Sequence, residues 1–548
     1  MQKIPHVLDV RGLSLEAGRT GIRILRNISF DVRPGEIVGI VGESGSGKSM
    51  AARAVMGLNP PEIRQTAGAI NFEGRDVGIL AKRDLRALRG ARIGMVFQEP
   101  MTSLNPSMTI GQQLEEGLRL HVKTTRQDRQ DRILQILDQI GLTDPKAALA
   151  AMPHHFSGGM RQRIMLASVM LLKPALLIAD EPTTALDAVI QRDVLELMVS
   201  LTRESNTAVL MISHDLAMVA SYSDRVVVMA QGEVVEQGAT SQLLAAPRHP
   251  YTQKLLSALP RRAAARVIPA ASVPRVEVRG LVVDYPGRGG LLRRGAPKRA
   301  LNGIDLSVQP GEILAVVGGS GSGKTTLGRT IAGLIAPTAG EIRFNGAPVG
   351  TARTSDRAYR LNCQMVFQDP YSSLDPRMTI GALVAEALRH TPGLSAQARH
   401  ARVGEALDEV GLSADFAPRY PHQLSGGQRQ RVAIARAIAA RPQFVIADEP
   451  VSALDVTVRA QVLHLFADLQ RRHGFSCLFI SHDLAVVEQI ADRVVVMAQG
   501  RVIEQGSRDA IFDTPREGYT RDLLRAIPTL FPTEQGGVRP GWRLASGA

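Results

Sequence analysis

Hydrophobic and polar positions follow two kinds of pattern along the chain, and the same succession of patterns occurs twice. Short apolar runs such as Ile37–Val41 and Ala175–Ala179, bounded by polar residues, Gly or Pro, predict β-strands, and the second run is typical of a strand buried on both faces of a parallel sheet. Residues 111–140 place apolar side chains at helical spacing among charges. The pattern therefore predicts two α/β domains of one kind, each with a helical part.

The repeat can be followed by residue number. Asp180 and Asp448 lie 268 residues apart, and the segment Asp224–Gly232 recurs unchanged as Asp492–Gly500. A period of this length indicates a duplicated domain rather than a solenoid, whose repeats are several-fold shorter.

A glycine-rich loop joins a β run to a predicted helix in each half. Both loops fit GxxxxGK[ST], in which backbone N–H groups and a helix N-terminus surround phosphates, the lysine reaches the β- and γ-phosphates, and the hydroxyl binds Mg²⁺. The predicted nucleotide-binding residues are Gly42, Ser44, Gly45, Gly47, Lys48 and Ser49 in the first half and Gly318, Ser320, Gly321, Gly323, Lys324 and Thr325 in the second.

An acidic pair ends a later apolar strand in each half. The pairs are Asp180-Glu181 and Asp448-Glu449. We predict that each aspartate holds Mg²⁺ and that each glutamate orients the attacking water.

Two further polar residues per half are candidates for the same chemistry. His214 and His482 each end an apolar run, which favours a γ-phosphate contact over the structural role usual for a lone histidine. Gln98 and Gln368 are predicted to sense the metal or the attacking water, although each alone reads as an ordinary loop residue.

A serine and two glycines open a predicted helix in each half. These residues are Ser157, Gly158 and Gly159, and Ser425, Gly426 and Gly427. We interpret them as a second anion-binding helix start, which covers ATP held by the other module; the alternative is an ordinary capped helix.

Together these motifs resemble the ATP-binding cassette (ABC) ATPases over nearly the whole chain, twice. The resemblance implies P-loop domains with a mainly parallel core sheet, an antiparallel β subdomain and a helical subdomain, arranged head to tail around ATP and Mg²⁺. One site would join Lys48, Ser49, Gln98, Asp180, Glu181 and His214 with Ser425, Gly426 and Gly427; the other would join Lys324, Thr325, Gln368, Asp448, Glu449 and His482 with Ser157, Gly158 and Gly159. Both keep a glutamate, which implies two hydrolytic sites.

Further segments resemble the peptide/nickel class of bacterial importers, in particular the fused ATPases of glutathione, dipeptide or microcin uptake. They are Met101–Pro106, Tyr371–Pro376, Phe156–Arg163 and His249–Thr252. The resemblance implies two integral-membrane permease subunits, an indirectly acting periplasmic or surface solute-binding protein, a peptide-like solute, and a peripheral location at the cytoplasmic face of the inner membrane, without nucleic acid.

Three features depart from that class. The family stacks adenine on an aromatic residue, which Tyr285 supplies in the second half, whereas Ala17 stands near that place in the first. The chain lacks the cysteines of a C-terminal iron–sulfur motif, because it holds only Cys363 and Cys477, which we expect to be buried free thiols. Glu517–Thr520 repeats the first-half motif only in part.

Composition and charge predict a folded protein with a linker between its two domains and a tail at its end. With 44% hydrophobic and 21% charged residues and no long apolar stretch, the chain reads as a folded protein that does not itself span a membrane. We expect domains at 1–260 and 274–532, the latter with a flexible insert at 286–299, a basic linker at 261–273 and a flexible tail at 533–548. The net charge of +13 is partly concentrated between the modules and favours either an anionic partner or a solvated linker.

A second function class is a soluble ABC-type ATPase acting on ribosomes or nucleic acid. Such translation factors join their domains by a long charged helix, which prolines would break in this chain at about 3 kcal/mol each. These prolines are Pro269, Pro274, Pro286 and Pro297. The zinc-binding cysteine clusters of DNA-repair relatives are also absent from the sequence, so transport is the favoured interpretation.

Overall fold

The computed structural model describes residues 6–18, 21–97, 103–183, 186–258, 262, 264, 266, 268–269, 272–287, 295–350, 357–389, 391–452, 454–533 and 537–543. The chain forms two compact units. The first unit is Met1–Ser257 together with Pro528–Ala548, and the second unit is Ala258–Ile527.

The first unit contains two sheets and a group of helices. Its strands are β1 (Leu8–Ala17), β2 (Arg23–Val32), β3 (Ile37–Val41), β4 (Ile63–Phe72), β5 (Arg75–Asp76), β6 (Ile93–Val96), β7 (Leu176–Asp180), β8 (Ala208–Ile212), β9 (Arg225–Ala230) and β10 (Glu233–Ala239). Its helices are α1 (Lys48–Val55), α2 (Lys82–Leu88), α3 (Ile110–His121), α4 (Arg126–Gln139), α5 (Pro145–Ala150), α6 (Gly158–Met170), α7 (Ala188–Glu204), α8 (Leu216–Tyr222), α9 (Thr240–Ala245) and α10 (Pro250–Ser257).

The second unit repeats this order of elements. Its strands are β11 (Val276–Gly287), β12 (Gly295–Val308), β13 (Ile313–Val317), β14 (Ala339–Phe344), β15 (Ala347–Pro348), β16 (Cys363–Val366), β17 (Phe444–Asp448), β18 (Ser476–Ile480), β19 (Arg493–Ala498) and β20 (Arg501–Ser507). Its helices are α11 (Lys324–Ile331), α12 (Arg357–Asn362), α13 (Pro370–Ser373), α14 (Ile380–Glu386), α15 (Ala396–Glu409), α16 (Gly426–Ile438), α17 (Val456–His473), α18 (Leu484–Ile490), α19 (Arg508–Asp513) and α20 (Gly518–Arg525). Strands β21 (Pro528–Pro532) and β22 (Val538–Trp542) end the chain's described part.

Each unit pairs a mainly parallel sheet with an antiparallel one. The large sheets have the orders β10-β9-β3-β8-β7-β6 and β16-β17-β18-β13-β19-β20, and the small sheets have the orders β2-β1-β4-β5 and β12-β11-β14-β15. The predicted fold class is thereby confirmed. Because β3 pairs in parallel with both β8 and β9, and β8 with β7, the carboxyl ends of these strands meet at one edge of the sheet.

The helical periodicity of residues 111–140 corresponds to two helices. Helix α3 begins after Thr109 and α4 after Thr125, and each threonine side chain accepts a hydrogen bond from the backbone three residues on. Leu114, Leu118 and Leu137 lie in the same buried cluster as the large sheet. The helical part is therefore packed on the sheet by its apolar faces.

The two cysteines are buried and free, as the sequence predicts. Burial raises the pKa of the Cys363 thiol to about 12 and also raises that of Cys477, since a thiolate loses its hydration there. Both thiols therefore stay protonated at pH 8.

We expect alkylation by iodoacetamide at pH 8 to be slowed about 100-fold or more relative to the chain unfolded in guanidinium, because only the thiolate reacts. Equal rates in the two states would contradict this burial.

Within the expected flexible tail at 533–548, the described residues 537–543 form an ordered strand and turn. Strand β22 pairs antiparallel with β21, and Trp542 lies edge-on to Tyr222 with ring centroids 5.8 Å apart. Leu530 and Val538 pack against the apolar core of the first unit. The Gly/Pro composition suggested mobility, whereas these few apolar side chains provide the burial that orders the hairpin.

The expected basic linker and insert also differ in their described parts. Arg262 and Arg266 form ion pairs within the second unit, and Arg299 pairs with Asp284 across β12 and β11. Residues 295–299 thus extend a strand rather than form a loop. No helix in the described ranges is long and apolar enough to cross a membrane.

Candidate nucleotide site

The two glycine loops connect the central strand of each large sheet to a helix. The first loop runs from the end of β3 to α1, and Gly42, Gly45 and Gly47 have φ values of 155°, 80° and 97°. A Cβ added at Gly42 would lie 2.1 Å from the carbonyl oxygen of Met229, which only glycine avoids. Ser44 and Gly45 are exposed at the loop tip, as are Ser320 and Gly321 in the second loop; Gly318 and Gly323 also have positive φ.

Each loop lysine lies inside its own loop. The Nζ atom of Lys48 donates to the carbonyl oxygens of Gly42 and Glu43, at 2.8 Å each. Lys324 makes the same two bonds, at 2.9 Å, to Gly318 and Gly319. The loop backbone therefore holds both ammonium groups at the carboxyl edge of the sheet, where an anion would be bound.

A hydroxyl and a carboxylate meet beside each lysine. Ser49 donates to Asp180 with an Oγ–Oδ1 distance of 3.0 Å, and Thr325 donates to Asp448 at 3.1 Å. Burial raises the pKa of each aspartate, and the hydroxyl hydrogen bond opposes this only in part. Hydroxyl and carboxylate oxygens are hard donors, so the pair fits the oxygen preference of Mg²⁺.

Each glutamate lies next to its histidine. Glu181 Oε1 is 3.1 Å from His214 Nδ1, and Glu449 Oε1 is 3.0 Å from His482 Nδ1. Both glutamates have positive φ, 48° and 47°, in the left-handed region that is strained for a residue with a Cβ. Besides burial, the charge of each glutamate raises the pKa of the neighbouring aspartate, Asp180 or Asp448.

In the second unit a glutamine joins the glutamate–histidine pair, and the contacts shift the pKa values of Glu449 and His482. Gln368 Nε2 donates to Glu449 Oε2 at 2.7 Å. Burial would raise the pKa of Glu449, but the hydrogen bonds from His482 and Gln368 and nearby positive charge hold it below its usual value. The bond to Glu449 raises the pKa of His482. Gln98, the counterpart of Gln368, lies outside the described residues, and no cluster of three or more His, Cys, Asp or Glu that would hold a metal occurs within the described part of the chain.

Ser157 and Ser425 cap the helices that begin with the paired glycines. Each side chain accepts a hydrogen bond from the backbone N–H three residues on, at 3.3 Å. The second glycine of each pair packs on a neighbouring helix: a Cβ at Gly159 would lie 2.4 Å from Ile190, and one at Gly427 would lie 2.4 Å from Val458. Both helix starts are therefore capped by their own serine.

The first glycine of each pair has a different environment. A Cβ at Gly158 would meet its nearest neighbour, Leu186, at an ordinary 3.8 Å. We expect Gly159→Ala to lower the free energy of unfolding by about 1–3 kcal/mol through overpacking, and Gly158→Ala to leave it nearly unchanged. Thermal unfolding of the two variants checks this. An equal loss of stability in both variants would show that close packing is not the reason for glycine at position 159.

The proposed adenine-stacking residue lies beside the second glycine loop. Tyr285 is 39% exposed, and its hydroxyl lies 3.3 Å from that of Thr326, in the first turn of α11. By strand register Ala17 takes the same place in β1, because Leu8 pairs with Val32 as Val276 pairs with Val308. The first unit therefore has no aromatic side chain at that position.

A tyrosine from the C-terminal part of each unit contacts the glycine loop, which sequence reasoning missed. The backbone N–H of Glu43 donates to the hydroxyl of Tyr251, and that of Gly319 donates to Tyr519, both at 2.9 Å. Tyr251 belongs to the His249–Thr252 motif and Tyr519 to the Glu517–Thr520 motif. The two motifs differ in their first two residues, but the tyrosine contact is the same in both units. The shared Tyr-Thr dipeptide was the only signal in the sequence.

We expect Tyr519→Phe to weaken ATP binding at the second unit, because the loop loses one of the hydrogen bonds that set its backbone. The expected change is about 1 kcal/mol, or a few-fold in Kd. Binding of a fluorescent ATP analogue to this variant and to Tyr420→Phe, an exposed tyrosine outside the loop, measures it. An effect of equal size in both would exclude the proposed contact.

In each unit a lysine, a hydroxyl, an aspartate, a glutamate and a histidine thus lie at one sheet edge. The ABC transporter family matches residues 25–184 and 301–452. The chain belongs to the ABC transporter family and is an ATP-binding, ATP-hydrolysing member of it.

The match becomes more specific outside those ranges. The C-terminal region of oligopeptide/dipeptide transporters matches residues 235–277 and 503–542. The chain is 44% identical to the glutathione import ATP-binding protein GsiA of Escherichia coli O157:H7 and to that of Shigella sonnei, over 97% of this chain and 91% of each relative. The fold also resembles archaeal ribosome recycling factor aABCE1 in its complex with ribosomal stalk protein aP1, with a TM-score of 0.61 and 20% identity over 98% of this chain and 96% of that one.

Proposed function

We propose that this chain is the ATPase subunit of a bacterial importer for a peptide-like solute, with glutathione or a short peptide as the solute class. The observation that carries the proposal is the double match to the C-terminal region of oligopeptide/dipeptide transporters, together with relatives named for glutathione import. The likeness to the ribosome recycling factor concerns the fold alone, so ribosome binding has no specific support.

Each proposed ATP site combines residues of both units. Lys48 and Lys324 bind the β- and γ-phosphates, and the backbone of each glycine loop surrounds them. Ser157–Gly159 and Ser425–Gly427 present helix N-termini to the γ-phosphate of the ATP bound by the other unit. Gly158 and Gly426 carry no Cβ, and no other atom crowds the place where one would lie. This supports a close approach of phosphate to their backbone.

Mg²⁺ would be held by the hydroxyl–carboxylate pairs, Ser49 with Asp180 and Thr325 with Asp448, with Gln98 and Gln368 as further ligands. When bound, it neutralises charge on the phosphate oxygens. Glu181 and Glu449 accept a proton from the attacking water. His214 and His482 contact the γ-phosphate and hold the glutamate carboxylates in place. Tyr285 stacks on the adenine of its site, and Ala17 leaves the other base with aliphatic contact.

ATP-driven closing and hydrolysis-driven reopening of the two sites would move two permease subunits at the cytoplasmic face of the inner membrane. A periplasmic or surface protein would deliver the solute to those subunits. Tyr371, in α13, is 65% exposed and lies in the segment that follows the glutamine loop. Arg429 lies 5.2 Å from its ring centroid and orients the ring. An exposed aromatic side chain of this kind suits a contact with a permease helix.

Purification of the tagged chain from gently solubilised native membranes tests this proposal. We expect two multi-span permease subunits to co-purify, and Tyr371→Glu to reduce their recovery while ATP binding stays intact. Tyr420→Glu, with an equal charge change at another exposed tyrosine, is the control. Recovery of ribosomal proteins or nucleic acid without any permease would overturn the importer assignment.

A further inference from the structure

Each unit is followed by a segment of chain that packs in the other unit. Pro260 and Pro528 are equivalent positions, 268 residues apart. The chain beyond Ser257 belongs to the second unit, and the chain from Pro528 onward belongs to the first. We call Arg262 and Arg266 the arginine segment, and residues 528–533 and 537–543 the apolar segment.

The arginine segment is held in the second unit by a network of ion pairs. Arg262 makes two hydrogen bonds to Asp513, at 2.6 and 2.7 Å, and one to Glu488 at 2.7 Å; Asp509 lies 3.4 Å away. These acidic residues lie on α18 and α19. Because the arginine bonds are bidentate and shared among several carboxylates, they exceed an isolated surface ion pair in strength.

Arg266 anchors the same segment to a buried carboxylate. Its guanidinium makes two hydrogen bonds to Asp492, at 2.6 and 2.9 Å. Asp492 is only 5% exposed, and it also accepts the backbone N–H of Ile313 at the start of β13. This part of the arginine segment is thereby tied to the central strand of the second unit.

The apolar segment packs in the corresponding place in the first unit. Strands β21 and β22 contact α8 and α9, the counterparts of α18 and α19. Leu530 and Val538 pack on the core, and the Trp542 ring meets Tyr222 of α8. Gly537 approaches the backbone of Ala245 so closely that an added Cβ would lie 2.2 Å from its carbonyl oxygen. The apolar segment is therefore held by apolar side chains and by one close backbone approach.

The two docking places differ in charge at equivalent positions. By the 268-residue offset, Arg262 corresponds to Leu530. The acidic residues around Arg262 have uncharged counterparts around the apolar segment: Glu488, Asp509 and Asp513 correspond to Ala220, Ser241 and Ala245. Arginine docked on the first unit would lose its acidic partners, and leucine docked on the second unit would lose the hydrogen bonds that Arg262 makes to Glu488 and Asp513. Each docking place therefore disfavours the wrong segment.

We propose that the arginine and apolar segments are reciprocally exchanged between the two units, that the charge difference directs each segment to its own place, and that the exchange keeps the units associated without nucleotide. The partner surface of each unit is thus the C-terminal segment of the other. An ATPase whose units separate and rejoin during turnover would then not depend on bound ATP to stay assembled.

Cutting the covalent linker in the full chain tests this proposal. A site-specific protease sequence placed at residues 270–271 leaves the arginine segment on the N-terminal fragment and the apolar segment on the C-terminal fragment. After cleavage in nucleotide-free buffer, sedimentation over a concentration series gives the affinity between fragments. Trp542, the only tryptophan in the chain, reports separately by fluorescence on docking of the apolar segment.

We expect the cut fragments to stay associated and Arg262→Glu to weaken the association about tenfold or more, with Trp542 emission unchanged at concentrations where the fragments remain bound. Raising the salt concentration should weaken the unsubstituted pair as well. Adding Asp513→Arg to Arg262→Glu should recover part of the affinity, while Arg119→Glu, at an exposed arginine of α3, should have no effect. Separation of the unsubstituted fragments on cleavage, or equal affinity for Arg262→Glu and Arg119→Glu, would overturn the exchange.

Discussion

Glu449→Gln is expected to slow ATP hydrolysis at its site by about 100-fold or more while leaving ATP bound, because the amide cannot accept the proton of the attacking water. Gln keeps the size of the side chain, and its oxygen still accepts a hydrogen bond from Gln368. The turnover of the whole chain then falls to the contribution of the other site or below. Glu181→Gln is expected to do the same, and the double variant should retain almost no turnover.

Steady-state phosphate release and retention of labelled ATP measure both effects. Glu405→Gln, which changes a carboxylate on α15 that is 55% exposed, controls for the loss of one charge. If either glutamate variant hydrolysed ATP at the unaltered rate, that glutamate would not belong to a working site.

Lys324→Ala is expected to weaken ATP binding at its site by about 2–5 kcal/mol, because a desolvated phosphate loses its opposite charge. Lys324 is 6% exposed and its ammonium group is held by two carbonyl oxygens, so it is already in place before nucleotide arrives. Lys48→Ala should act equally in the first unit, where the same two carbonyl contacts occur.

Titration with labelled ATP measures this loss, and thermal unfolding without nucleotide separates it from a loss of stability. Lys82→Ala, at an exposed lysine of α2, removes an equal charge away from the loop. An unchanged affinity for both loop variants would mean that the phosphates lie elsewhere.

The parts of the site that could be predicted from sequence are those set by local chain geometry. A strand, a glycine turn and a helix N-terminus follow one another within about a dozen residues, so Lys48 and Ser49 were placed from their spacing alone. The acidic pair at the end of β7 was predictable for the same reason, because parallel strands end at one edge.

The parts that were missed depend on contacts between distant residues. Glu43 and Tyr251 are separated by 208 residues, and no local pattern joins them. Residues 533–548 were expected to be a flexible tail because their composition is rich in Gly and Pro, whereas Val538 and Trp542 within that range pack on another part of the chain. Composition reports the local preference of a segment, not the surface that buries it.

Two complete ATP sites on one polypeptide should be visible in the number of ATP molecules bound per chain. Equilibrium binding of labelled ATP to the Glu181→Gln, Glu449→Gln double variant, with magnesium present, counts sites without turnover. We expect two ATP per chain, reduced to one by adding either Lys48→Ala or Lys324→Ala. A single ATP per chain before the lysine substitutions would contradict it.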